Sequence, residues 1–210
     1  MTPPWIPLLA CLTYLLTGTP AQTAFKATEV PFTLMESSAS RQIAALKANS
    51  GWDCLTGWFK NSERETFAKF TKAIYTDHPQ VVLMTADHPH PIAPGESIDA
   101  VLRNREWVML VKQSYSYGTE LDALIERHQP RRSFTTDENV LMLKSLHKRA
   151  ADYMFLAPEE AEGTIAASGF APAQFKLIRL SKMPKGESRH IMCSKNVPEP
   201  VIARLNTAIK

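Results

Sequence analysis

Two stretches that suit neither helix nor strand divide this chain. Residues 86–97 read ADHPHPIAPGES, with three prolines and one glycine, and residues 181–188 carry Pro184 and Gly186. Proline removes a backbone donor and glycine weakens any regular element, so both stretches read as solvated linkers. They leave a first segment, a middle segment and a short last segment. Such a chain can cross from one lobe to another, return, and finish in the first. The expected boundaries are lobe 1 from 25–86 plus 189–210 and lobe 2 from 98–180, with 87–97 and 181–188 as hinge segments. Ligands favour clefts between such lobes, which close by hinge motion.

Between the breaks, strand and helix signals alternate from residue 30 to the end, the pattern of an α/β fold. Strands are expected at Val30 to Glu36, Trp52 to Phe59, Gln80 to Thr85, Trp107 to Lys112, Asp152 to Leu156, Gln174 to Leu180 and Arg189 to Ser194. Helices are expected from Ser40 to Ala48, Ile98 to Asn104, Glu120 to His128, Glu138 to Arg149, from Pro158 onward, and over the last ten residues. Ser62 and Glu65 read as a capping box that opens a helix burying Phe67, Phe70 and Ile74.

No charged residue precedes Lys26, and Trp5 to Leu16 is mostly apolar, with small residues following at Thr19, Ala21 and Ala24. Residues 1–24 therefore read as a secretory signal peptide, one that lacks the usual basic start, or as a remnant helix. Export implies the periplasm of a Gram-negative cell. Without the leader two cysteines remain, Cys54 and Cys193. In an exported protein a lone pair favours a disulfide, with two separately buried thiols as the alternative. Two cysteines without nearby histidines do not make a zinc site. Asp87-His88-Pro89-His90 has no evident further ligand, so neither metal nor cofactor is expected. A formal charge of +3 with no basic run argues against nucleic acid and points to a small ligand.

The stretch DCLTGWFKNSERETFAKFTKAIYTDHPQVVL, residues 53–83, resembles the core motif of the family 3 extracellular solute-binding proteins. There a strand ends in small or polar residues, a T-x-E-R-like turn opens a helix, and F-S-x-P-Y follows. Here the turn reads Asn61-Ser62-Glu63-Arg64, and the later motif runs from Phe70 to Tyr75 with Thr71 for Ser and Ala73 for Pro. SYSYGTELDALI, ADYMFLAPEE and IMCSKNVPEPVIARLN extend the likeness over about residues 30–210, nearest to a cysteine-containing branch of the family. The resemblance implies a two-lobed, periplasmic-binding-protein-like type II fold. Family members begin with a strand and a helix ahead of the strand at Val30, and residues 25–30 have no room for both. The first lobe is therefore expected to be incomplete, with residues 6–16 as a candidate for the missing helix.

The resemblance also implies a role for Arg64, which sits in the first turn of its helix, where backbone N–H groups are free and the dipole is positive. A guanidinium there can hold a ligand carboxylate through two parallel hydrogen bonds. Thr56, Gly57 and Trp58 end the preceding strand, where open α/β sheets bind ligands; Gly57 admits close approach and Trp58 offers a stacking face or a core side chain. Tyr115, Ser116 and Tyr117 precede a helix start and either complete an anion site or form a plain capping turn. Asp152 and Glu159 are acidic candidates for a ligand ammonium, with structural readings as a strand-start residue and a helix-dipole partner.

The expected function is that of a solute-binding protein for an amino-acid-like ligand or organic acid, delivering to a membrane permease or a sensor. An enzyme is not expected, because no nucleophile–base pair or metal set is evident. The alternatives are a dehydratase-like enzyme on the same fold, with Glu159 as general acid, and a degenerate, non-binding interaction protein.

Overall fold

The computed structural model, which describes residues 6–10 and 20–209, resolves the alternating elements into two five-stranded sheets. The chain divides into two compact units, 1–76 with 188–210 and 77–187.

The first unit holds strands β1 (Ile6–Ala10), β2 (Phe32–Glu36), β3 (Cys54–Phe59), β4 (Ala68–Thr76) and β10 (Ser188–Ser194), with helices α1 (Pro20–Ala27), α2 (Ala39–Ala48), α3 (Ser62–Phe67) and α8 (Glu199–Ala208). Its strand order is β2-β1-β3-β10-β4. β1 lies parallel to both β2 and β3, whereas β10 runs antiparallel to β3 and β4. The second unit holds β5 (Val81–Thr85), β6 (Val108–Lys112), β7 (Arg131–Thr135), β8 (Tyr153–Leu156) and β9 (Phe175–Ile178). Its helices are α4 (Ile98–Arg103), α5 (Thr119–His128), α6 (Asn139–His147) and α7 (Pro158–Ser168). The order β7-β6-β8-β5-β9 repeats the plan of the first sheet: β6 parallel to β7 and β8, then β5 antiparallel to β8 and β9. In each unit a strand foreign to the sequential run supplies the antiparallel fourth position. Each parallel triplet has a switch point, β1/β3 in one and β6/β8 in the other, beyond whose carboxyl ends ligands collect in open α/β sheets.

Four sequence expectations are corrected. First, the segment read as a leader supplies the strand thought to be missing: Ile6–Ala10 is the second strand of the first sheet, pairing Leu8 with Leu34 and Cys54. It is a strand where residues 6–16 were expected to be helical. α1 follows, burying Ala21, Ala24 and Phe25, with the Phe25 ring 5.3 Å from that of Phe32. Loss of residues 1–24 would strip a paired strand and half of a packed helix from this core, and residues 11–19 lie outside the described residues.

Second, the helix expected to bury Phe67, Phe70 and Ile74 stops at Phe67 and becomes the nine-residue β4. The i, i+3, i+7 spacing suits a helix, but β10 needs a partner on its second edge, and sheet pairing overrides propensity. Register slips beside His190 let Phe70 and Ile74 join different core clusters. The α3 cap is Asn61, whose Oδ1 accepts the Arg64 N–H at 2.9 Å, rather than Ser62.

Third, the crossings fall at 76/77 and 187/188, not in the first proline-rich stretch. β5, buried along its whole length, pairs with β8 and β9 and so belongs to the second unit. Residues 86–97 are anchored at several points, although most of their side chains stay exposed. Ile92 joins the main core cluster, the His90 carbonyl accepts the Trp107 Nε1–H at 2.9 Å, and Ser97 bridges Ser181.

Fourth, β7 had no sequence signal. Its run Arg131-Arg132-Ser133-Phe134-Thr135 is charged and half-exposed, as suits a sheet edge.

Candidate functional site

In the first unit the candidates gather where β3 ends. Gly57 is the extra residue of a β-bulge, because Trp58 pairs with His190 and Thr56 with Ile191 while Gly57 faces neither. Its φ of +77° is open to glycine and strained for other residues. The bulge turns the Gly57 carbonyl to Arg189, whose Nη1 donates to it at 2.9 Å. Arg189 is buried, with its guanidinium 3.9 Å from the Phe59 ring centroid.

Trp58 is a core side chain whose Nε1–H donates to the buried Gln42 Oε1 at 3.1 Å. Its ring face carries the Arg64 guanidinium at 4.7 Å, so Trp58 is the platform for Arg64. Arg64 Nη1 also donates to the Phe59 carbonyl at 2.8 Å. The side chain is thus folded back over the end of β3 and is only 6% exposed, which rules out a free surface arginine. Carbonyl and indole together hold the planar fork in one orientation.

In the second unit, the loop after β6 and the first turn of α7 stand at the carboxyl ends of β6 and β8. Ser116 and Tyr117 form the capping turn: Ser116 Oγ donates to Asp122 Oδ2, and the Tyr117 N–H donates to Asp122 Oδ1 at 2.9 Å. Tyr117 is packed against Tyr115 and Phe155, at 5.2 and 6.0 Å between ring centroids, and burial pushes its phenol pKa up. Tyr115 is half-buried, 5.2 Å from the Lys112 ammonium, and Lys112 in turn is paired with Glu138 at 2.7 Å. Tyr115, Tyr117, Lys112, Arg132 and Phe134 line a concavity of about 650 Å³ on this unit.

Glu159, in the first turn of α7, accepts the His78 N–H at 2.8 Å and contacts the His78 ring. Burial raises its pKa, but its own backbone N–H and the His78 N–H and ring outweigh that and hold the carboxyl below its usual range.

Asp152 does not join this group. It precedes β8 at the opposite end of the strand, with Oδ1 2.8 Å from His88 Nε2 and Oδ2 accepting the Val108 N–H at 2.6 Å. Both oxygens serve to fasten β6 and the 86–97 segment. His88 is thereby a structural partner, and among the described residues no group of three or more His, Cys, Asp or Glu could hold a metal. Cys54 and Cys193 face each other across β3 and β10 and are joined as a disulfide.

Sequence reasoning missed Arg189 and Gln42, the buried partners of Gly57 and Trp58, because single polar residues within a strand or helix give no local signal. It also missed Glu187, which lies in a proline- and glycine-containing stretch. Its carboxylate accepts the Thr119 N–H at 2.5 Å.

No protein-family model matches the chain, and no curated protein sequence matches it. Solved structures match over almost its whole length. The substrate-binding protein of an amino acid ABC transporter aligns with a TM-score of 0.73 at 14% identity, covering 98% of this chain and 91% of that one. The GluR0 ligand-binding core from Nostoc punctiforme, in complex with L-glutamate, gives 0.70 at 16% identity, with 98% and 91% covered. The arginine-, lysine-, histidine-binding protein ArtJ from Geobacillus stearothermophilus gives 0.74 at 14% identity, with 98% and 88% covered. The expected periplasmic-binding-protein-like α/β fold is therefore the fold of this chain, and its structural neighbours are binding proteins.

Proposed function

We propose that this chain is an exported solute-binding protein for an amino-acid-like or carboxylate ligand, serving a membrane permease or a sensor. The observation that carries the reading is Arg64: a buried guanidinium in the first turn of a helix, at the carboxyl end of a strand beside a sheet switch point, oriented by an aromatic face and a carbonyl. Its planar fork suits bidentate capture of a carboxylate. The similarly folded GluR0 core in complex with L-glutamate and the arginine-, lysine-, histidine-binding ArtJ agree with that chemistry. In the second unit, Glu159 is the acidic candidate for a ligand ammonium and Tyr115 the aromatic one. Thr56, in the β3 ladder beside the Gly57 bulge, and Ser116 and Tyr117, in the capping turn of α5, are the candidates for the remaining ligand contacts. The disulfide supports an oxidising compartment such as the Gram-negative periplasm.

Calorimetric titration of the purified chain with L-arginine, L-lysine, L-histidine, L-glutamate and succinate tests the proposal. At least one should bind saturably, and Arg64→Ala should abolish that signal while the circular dichroism stays native. Heats that survive Arg64→Ala, or no saturable heat from the panel, count against it.

A further inference from the structure

We propose that the open edge of β7 is a self-association surface, on which a second copy of this chain lays its own β7 antiparallel about a two-fold axis at Ser133. β7 is the outermost strand of the second unit's sheet, with β6 beside it. The Gln113 N–H donates to the Thr135 carbonyl at 2.8 Å, so Thr135 turns its backbone groups to β6. Alternation gives Ser133 and Arg131 the same direction and sends the N–H and C=O groups of Arg132 and Phe134 away from the sheet. Such a row of backbone groups is a template for another strand.

The side chains add an apolar surface beside that row. Phe134 is the most exposed large apolar residue among the described residues, at 57%. Arg132 shares its face of the strand, with the guanidinium 5.6 Å from the Phe134 ring centroid. Both border the concavity that separates β7 from α5, so the helix leaves this part of the sheet uncovered.

Charged edges repel a second strand, and β7 carries both Arg131 and Arg132. The order of residues around Ser133 removes that obstacle. Pairing centred on Ser133 sets Arg132 opposite Phe134 of the second copy and Arg131 opposite its Thr135, so no arginine faces an arginine. Arg132 and Phe134, whose backbone groups point outward, become the hydrogen-bonded pairs on either side of the axis. Ser133 meets its own counterpart as a non-hydrogen-bonded pair. Each guanidinium then lies between two aromatic rings, its own and that of the second copy. Its charge is also countered within the chain, because Glu126 stands 3.9 Å away. Other axes fit worse. One at Arg132 sets that residue against itself, and one at Phe134 moves Arg132 opposite Thr136, where it loses the second ring. Pro130, without an N–H, ends the ladder at the start of β7. An isologous contact of this kind closes on itself, so the assembly stops at two chains.

Analytical ultracentrifugation of the full chain from about 5 to about 500 μM tests the proposal. The unaltered chain should pass from monomer to dimer across that range. Phe134→Lys sets a lysine against Arg132 in both outward pairs and should weaken association by about tenfold or more. Arg132→Glu combined with Phe134→Lys puts opposite charges into the same pairs and should restore the dimer. Ser133→Cys reads the axis itself. Opposed residues of a non-hydrogen-bonded pair lie about 4.5 Å apart, a span that a disulfide bridges, so mild oxidation should link two chains well beyond the level in the unaltered one. An unaltered chain that stays monomeric at the highest concentration overturns the proposal. Association that Phe134→Lys leaves intact, that the double change does not restore, or that gives no Ser133→Cys cross-link places the contact elsewhere and overturns it too. Should Phe134→Lys fail to fold, the Ser133→Cys cross-link decides by itself.

Discussion

Cys54 and Cys193 pair directly across the β3–β10 ladder, and the stretch between them, a sequence separation of 139, contains the whole of the second unit. β10 is the strand on which the chain returns, and it lies inside the first sheet, between β3 and β4. Without a cross-link, the first unit's sheet must recruit this strand across an inserted unit and bear the loop-closure entropy.

The disulfide should therefore contribute strongly to stability. Reduction, or the double change Cys54→Ala with Cys193→Ala, is expected to cost the first unit about 3 kcal/mol, within the range for native bridges that close long loops. Guanidinium unfolding with and without reductant measures it. A midpoint insensitive to reductant would show that β10 is held by pairing alone.

Arg64 separates charge from shape. Arg64→Lys keeps a cation but loses the planar fork that bonds the Phe59 carbonyl and lies on Trp58. Ligand affinity should fall by about tenfold or more, because a single ammonium cannot bond a carboxylate at two points while keeping the same backbone partner. Calorimetry with the amino acid that binds best reads the change, and full affinity in Arg64→Lys would leave only a point charge to explain binding.

How far these features were legible in the sequence follows from the range of the interactions that create them. The turn at Asn61 to Arg64 and the strand ending at Phe59 were readable, since both are local, although the cap fell on Asn61, one residue before the Ser62 that the sequence suggested. β4 was misread because its partner, β10, lies more than a hundred residues away in sequence. The first strand was missed for a related reason. An uncharged, apolar N-terminal stretch looks the same whether a protease removes it or two neighbouring strands pair with it. Arg64 and Trp58 were both singled out, but that one serves as the platform of the other depends on side-chain direction, which spacing does not supply. Asp152 and Glu159 looked equivalent as acidic residues near one strand, and only the direction of β8 separates the fastened residue at its start from the candidate beyond its end.

Gly57 is a test of the bulge. At φ +77° an alanine is strained by about 1 kcal/mol or more, and its Cβ would stand 3.5 Å from the Tyr75 hydroxyl, an ordinary contact. Gly57→Ala should lower stability through backbone strain and, by shifting the Gly57 carbonyl, loosen Arg189. Thermal unfolding of Gly57→Ala beside Gly57→Asn separates the causes, because asparagine tolerates positive φ better. Equal losses in the two would point to crowding instead of strain.

Tyr153 offers a prediction of opposite sign. Its ring is fully buried in the core of the second unit, 5.6 Å from the Phe155 ring, yet its hydroxyl has no hydrogen-bond partner among the described residues. Burial there pushes the phenol pKa upward, the expected response of a group with no stabilised charged form. A buried donor left unmade carries a desolvation cost of about 1–3 kcal/mol, whereas the aromatic packing does not depend on the oxygen. Tyr153→Phe should therefore stabilise the second unit by about 1 kcal/mol, after allowance for the small void the oxygen leaves. In a differential scan, that gain would appear as a rise of about 2–4 °C in the midpoint of a chain this size. A fall in the midpoint would show that the hydroxyl is engaged in solution, and that its place in the core is held by a polar contact instead of by the ring.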